Sequence, residues 1–244
     1  MGLLTALGFL TVLPVPAGAS ATPERVGRSQ LYFPVVGLLL GLALAALYWL
    51  LLRYLPPLLA AALLLAVWEV LTGGLHTDGL MDTCDGLFGG GTPQERLEIM
   101  RDARVGAFGV LGAVLVLLVK FAALASLPLA SAGALVVALT AGRWAMVAAI
   151  GWFPYARPAG AGAAFKAASR PGMAWLGLAL ALAVGWGFGR TLGLVAAAGA
   201  APAVWVLGRF AARRLGGLTG DLYGAGAHLV EAGILAAAAS GPWR

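Results

Sequence analysis

The chain has 244 residues, 61% of them hydrophobic and 11% charged, with a mean hydropathy of +0.92. Soluble globular domains carry about 25% charged residues, so this composition excludes one and predicts an integral membrane protein with roughly six or seven spans of about 20 residues. The net charge of +6 would suggest nucleic acid in a soluble protein, but no basic patch interleaved with aromatics is present, and one cysteine, Cys84, excludes an internal disulfide.

In chain order, the N-terminus lacks the charged start and small-residue cleavage site of a secretory signal, so Met1 is expected to be retained. Leu3 to Val15 is apolar but only 13 residues long, too short to span, and reads as interfacial or re-entrant. A polar stretch with Glu24, Arg25 and Arg28 follows. Residues 33–52 form the first clear span, closed by Arg53 and the Pro56-Pro57 turn. Residues 58–75 form the second and deliver the chain into an acidic stretch at 73–109. Spans at 105–127 and 129–152 come next, with Pro128 at the turn, then a Gly- and Pro-rich basic loop at 153–172. Spans at 173–189 and 191–207 are separated by Arg190. A loop at 209–226 carries GGLTGD, and 228–239 is a weak seventh candidate. The predicted fold is an all-α polytopic bundle forming one catalytic domain, 1–244.

Lys and Arg orient the bundle, because the cytoplasmic side of a membrane protein carries their excess. Arg25, Arg28, Arg96, Arg101, Arg104, Arg157, Lys166, Arg170, Arg209, Arg213 and Arg214 fall on one side, and Arg53, Arg190 and Arg244 on the other. Eleven against three puts the acidic stretch, the 153–172 loop and the 209–226 loop together on the cytoplasmic face. Lys120 and Arg143 lie inside spans.

Six of the ten acidic residues, Asp78, Asp82, Asp85, Glu95, Glu98 and Asp102, fall in the acidic stretch. The first three, at i, i+4 and i+7, share one face of a helix, and the second three repeat the stripe. Unpaired carboxylates repel, so a cation is expected between them. Oxygen ligands select hard cations, and the one that commonly shares its site with phosphates is Mg2+. Glycines at 79, 86, 89, 90 and 91 lower helix propensity and let backbone approach a bulky polyphosphate. Arg101, Arg104, Arg157, Lys120 and Arg143 are candidate phosphate clamps. These groups suggest phosphoryl transfer from a diphosphate-linked donor to an alcohol, with a carboxylate or His76 taking the hydroxyl proton.

Each feature has a plainer reading. The stretch from Glu95 to Arg104 is equally a solvated helix face of mixed sign. Lys120 and Arg143 either serve the site or form a buried ion pair, for instance with Glu69. Cys84 reads as packing, and Arg209, Arg213 and Arg214 as topology anchors at lipid headgroups. Asp221 and Glu231, the acids of the C-terminal part, either complete the site or cap a helix.

GGLHTDGLMDTCDGLF followed by LEIMRDARVGAFG resembles the signature of the cobalamin synthase family, the adenosylcobinamide-GDP ribazoletransferases. FLTVLPVP, YFPVVGLLLG, Lys120, Arg143, YARPAGAG and GGLTGDLYGA resemble family stretches in the same order, so the likeness covers nearly the whole chain. It implies a multi-pass bacterial or archaeal inner-membrane enzyme, Mg2+-dependent, acting at the cytoplasmic face. Such an enzyme joins adenosylcobinamide-GDP to alpha-ribazole or its 5'-phosphate, releasing GMP and forming adenosylcobalamin or its phosphate. His76, Asp78, Asp82, Asp85, Glu98, Asp102, Arg104 and Asp221 align with its motifs. Val12, Met81 and His228 depart from the family pattern, and Val12 puts in doubt a phosphate-binding role for the N-terminal segment.

The implied mechanism has Mg2+ held by Asp78, Asp82, Asp85 and Asp102, with Glu98 a further candidate, and Arg101, Arg104 and Arg157 on phosphates. His76 or Asp85 acts as base, with Asp82 beside them in the catalytic group. The lipid bilayer is a partner, nucleic acid is not, and a homo-oligomer is allowed. Two rivals stand against this reading. A CDP-alcohol phosphotransferase would need D-x-x-D-G-x-x-A-R spacing, which Asp78, Gly79, Asp82 and Asp85 do not give. A divalent-cation transporter would place its acids at mid-membrane between helix repeats.

Overall fold

The computed structural model describes residues 1–16 and 22–241; among these the chain is helical and has no β-strand. Arg244, counted above on the basic-poor side, lies outside the described residues. Two short helices, α1 (Gly2–Leu10) and α2 (Pro23–Ser29), precede α3 (Phe33–Tyr54) and α4 (Pro57–Leu71). The acidic stretch forms α5 (Leu75–Gly89) and α6 (Pro93–Ile99). Then come α7 (Ala107–Ser126), α8 (Gly133–Trp152), the short α9 (Ala161–Ala168), α10 (Pro171–Leu215) and α11 (Gly220–Ser240).

The core is built on α8, in which every residue from Ala134 to Ile150 is buried. A helix that is apolar all round must be covered all round, and α3, α10 and α11 cover it. α7 packs on α11 and α5, and turns Val110, Leu111, Val114, Leu115 and Leu118 outward. Large apolar side chains facing outward are tolerable where the surroundings are lipid. Among the described residues five helical stretches are long and apolar enough to cross a membrane. α4 and α5, bent by 87° at their junction, together make a sixth.

The span expected at 58–75 is therefore corrected. α4 has 15 residues, about 22 Å at 1.5 Å per residue, short of a hydrocarbon core of about 30 Å. The expected break at Arg190 is found: it leaves helical geometry (φ 48°, ψ −134°). Gly185 packs on Gly193 and Ala197, although a straight helix would hold residues 185 and 197 about 18 Å apart. α10 is thus a folded-back pair of arms, 171–189 and 191–215, and the second arm continues through Arg209, Arg213 and Arg214. α11 starts at Gly220, so the loop expected at 209–226 is corrected: only residues 216–219 lie outside helices. Thr219 caps α11 by accepting from the Leu222 N–H at 3.5 Å. The N-terminal segment is packed into the bundle: Thr5, Ala6 and Leu10 are buried, and the Val12 N–H donates to the Leu71 carbonyl at 2.9 Å.

Candidate active site

Gly73 (φ +61°) and Gly74 (φ +64°) turn the chain from α4 into α5, a conformation that disfavours any residue with a Cβ. α5 is one unbroken helix despite its glycines, and Gly79 is where it meets α11. A Cβ there would lie 2.8 Å from the Asp221 carbonyl oxygen. Backbone contact at that point brings Asp78 and Asp82 beside Asp221. Asp78 is exposed and Asp82 half-buried, and the carboxylates whose charge bears most on Asp82 are Asp221 and then Asp78.

Asp221 is held in place. Its Oδ2 accepts from Arg157 at 2.9 Å and from the Thr219 hydroxyl at 3.2 Å. Arg157 also donates to the Met100 carbonyl at 3.3 Å, while its Nε is buried with no protein partner. The Arg157 loop is pinned to the turn before α11 by two backbone bonds of 2.8 Å, Ala156 N–H to Leu218 O and Leu218 N–H to Pro154 O. Two loops distant in sequence are thus locked together, and each supplies one member of the Arg157–Asp221 pair.

Below this rim opens a cavity of about 250 Å³. His76, Asp78, Arg157, Asp221, Tyr155 and Tyr223 line it, and Phe9, Phe33, Phe165, Met146 and Ile150 form its apolar part. The three phenylalanines come from α1, α3 and α9 and pack together, with Phe9 and Phe165 ring centroids 4.9 Å apart and Phe33 and Phe165 5.3 Å apart. His76 is buried with both ring nitrogens unpartnered, as is the Tyr223 hydroxyl. Burial raises the pKa of the Tyr155 phenol, which keeps it a proton donor at neutral pH.

The other residues singled out by sequence go elsewhere. Asp85, third of the first stripe, is buried against α7. Its oxygens accept from the Gly106 and Gly109 N–H groups, each at 2.8 Å, so it serves as the N-terminal cap of that helix. The second stripe does not form, because α6 ends at Ile99. Glu95 closes a capping box with Thr92, Glu98 is exposed, and Asp102 forms a salt bridge at 2.8 Å with Arg104, which is itself exposed. The Arg104 hydrogen bonds hold the Asp102 carboxyl at about 2, well below its usual value. Arg101 is exposed. Arg96 and Arg214 donate to carbonyls at the end of α5, which gives Arg214 a place in the fold beyond lipid contact.

Lys120 and Arg143 lie wholly inside the bundle, and both pair with Glu231, Lys120 at 2.6 Å. Glu231, not Glu69, is their counter-ion. His228 contacts Lys120, and its Nε2 lies 2.9 Å from the Thr77 hydroxyl, which donates to Glu69 at 2.6 Å. Sequence reading missed the cavity's Tyr155, Tyr223 and Phe165. Tyr155 opens YARPAGAG and Tyr223 lies within GGLTGDLYGA, but nothing in sequence shows that α1, α3 and α9 converge.

Mg2+ commonly takes one or two carboxylates and completes its shell with substrate phosphates and water. Asp78 and Asp82, one turn apart and with no cation on them, fit that demand. Among the described residues no group of three His, Cys, Asp or Glu side chains could hold a metal unaided. A metal here would therefore depend on phosphate oxygens.

The family model described as cobalamin-5-phosphate synthase matches residues 2–239. Among curated proteins the chain is similar to the adenosylcobinamide-GDP ribazoletransferase of Desulfitobacterium hafniense, 45% identical over 93% of this chain and 91% of that one. It is likewise similar to those of Stutzerimonas stutzeri, 46% identical over 96% and 95%, and of a Roseiflexus species, 43% over 95% and 86%. No solved structure matches.

Proposed function

The chain belongs to the cobalamin-5-phosphate synthase family, and on that premise we propose that it is an inner-membrane enzyme that joins adenosylcobinamide-GDP to alpha-ribazole or its 5'-phosphate. A hydroxyl oxygen of the ribazole forms a bond to the phosphorus next to cobinamide. The bond from that phosphorus to the oxygen of GMP breaks, and GMP leaves. The observation that carries this reading is the rim itself: two free carboxylates, a positioned Asp221–Arg157 pair and a cavity beneath them, built from the segments that carry the family motifs.

Asp78 and Asp82 would hold Mg2+, which would supply positive charge against the diphosphate. The unpartnered Arg157 Nε donates to a phosphate oxygen. Asp221 Oδ1, the oxygen that Arg157 and Thr219 leave free, takes the hydroxyl proton; its other oxygen keeps the carboxyl oriented, as a positioned base requires. The Lys and Arg excess beside this rim orients it to the cytoplasm, where a nucleotide-activated donor is available.

Purified protein in lipid, given both substrates and Mg2+, should release GMP only when ribazole is present, and chelator should stop it. Release without ribazole would make it a hydrolase, and no release from folded protein would refute the assignment.

A further inference from the structure

Asp78, Arg157 and Asp221 at the mouth of the cavity are taken up by the transfer step, but its inner part, with His76 and the aromatic wall, is given no role by it. At about 250 Å³ the cavity falls below the roughly 300–1,000 Å³ of sites that take a whole drug-sized ligand, so it accepts one ring system and not a nucleotide. Its inner walls are aromatic and aliphatic, and three separate helices, α1, α3 and α9, contribute one phenylalanine each. On its polar side stands His76, 2% exposed, with neither ring nitrogen satisfied by protein. A buried imidazole with two idle nitrogens costs stability unless a ligand meets it.

We infer that this cavity binds the benzimidazole base of the acceptor, with a His76 N–H donating to the one unsubstituted ring nitrogen. The inference rests on the transferase reading and names the acceptor half of that site. Alpha-ribazole carries a flat bicyclic base with two methyl groups and a single free acceptor nitrogen. That is an apolar body with one polar atom, which matches the aromatic and aliphatic wall of Phe9, Phe33, Phe165, Met146 and Ile150 with the His76 imidazole beside it, the charged groups Asp78, Arg157 and Asp221 being left to the ribose and phosphates. Guanine, the competing base in the reaction, brings an N1–H, an amino group and three acceptors, and those turned to the wall of Phe9, Phe33, Phe165, Met146 and Ile150 would be buried unpaired. The corrin ring is far too large for the space. Tyr223, Asp78 and Asp221 line the same cavity and are the groups available to the ribose.

The test uses wild-type protein in lipid with two acceptors, alpha-ribazole and the dimethylindole riboside in which that nitrogen is replaced by C–H. Losing one hydrogen bond to a positioned buried group should raise KM about tenfold for the indole analogue, with KM for adenosylcobinamide-GDP unchanged. His76→Phe should raise KM for alpha-ribazole by a similar factor and abolish discrimination between the acceptors, and His76→Gln, which keeps an N–H, should restore part of it. Equal use of both acceptors by wild type would overturn the His76 contact. A His76→Phe effect on the KM of the donor alone would assign the cavity to the donor. These outcomes all require that wild type release GMP; if it releases none with either acceptor, the transferase reading fails instead.

Discussion

Two groups of charges meet on α11 and behave in opposite ways. The inner group, Lys120, Arg143, Glu231 and His228 with Thr77 and Glu69 at its edge, is buried, and its cations share one carboxylate. The rim, Asp78, Asp82 and Asp221, carries one cation, Arg157, for three carboxylates, and solvent reaches it. α11 supplies Asp221 to the rim and, about three turns on, Glu231 to the inner group. Charge in the bundle is tolerable where it is matched and is available for chemistry where it is not. Each group is therefore expected to fail differently when broken.

Glu231 should give the largest effect. Glu231→Leu leaves Lys120 and Arg143 without a counter-ion, which costs about 3–5 kcal/mol for a buried pair. Thermal melting in detergent should show a large fall, with loss of folded protein. Replacing Lys120, Arg143 and Glu231 together by Met should recover most of the melting temperature, because no buried charge is left unmatched. A Glu231→Leu protein that melts like wild type but has lost turnover would move the inner group into the chemistry.

At the rim the pattern should reverse. Asp82→Asn removes a carboxylate crowded by two others, so melting should be unchanged or improved while GMP release falls by about 100-fold or more. Turnover above about a tenth of wild type would remove Asp82 from the site. Asp85→Ala sharpens the boundary between the groups. Losing the cap of α7 should cost about 1–2 kcal/mol in stability, with kcat lowered less than about threefold. A selective loss of kcat would instead place Asp85 with the rim.

Much of this division was legible in the sequence, and the reasons for the rest are physical. Asp78 and Asp82 are readable because helical spacing alone puts two unpaired carboxylates on one face. Asp85 has the same spacing but a different fate, because its partners are backbone N–H groups more than twenty residues away, and these carry no side-chain signature. Lys120 and Arg143 are conspicuous as charges in apolar spans. Their counter-ion was not readable, because Glu231 lies about 90 residues or more beyond them in a stretch that glycine and alanine make look too weak to be a helix. The cavity is the least legible part, since α1, α3 and α9 each give it a single ring.

The smallest effect should come from Asp102, which the second stripe had placed with the site, and Arg104, a candidate phosphate clamp. Their salt bridge is fully exposed, and solvent screens such pairs strongly. Asp102→Asn should leave melting at neutral pH unchanged within error and turnover close to wild type. The sign of the pH dependence follows from the depressed carboxyl. A group with a folded-state pKa of about 2 against a usual 3.8 contributes fully above pH 4, and its contribution is lost as pH falls from about 4 to 2. Wild type and Asp102→Asn should therefore have parallel stability curves from pH 7 down to about 4, and any small difference between them should close only below that. Asp102 draws its partners from its own turn, so it differs from Asp82 in having nothing left to offer a ligand. A large, selective loss of turnover in Asp102→Asn would show that the turn after α6 folds over the rim when substrate binds and would extend the unmatched group beyond α5 and α11.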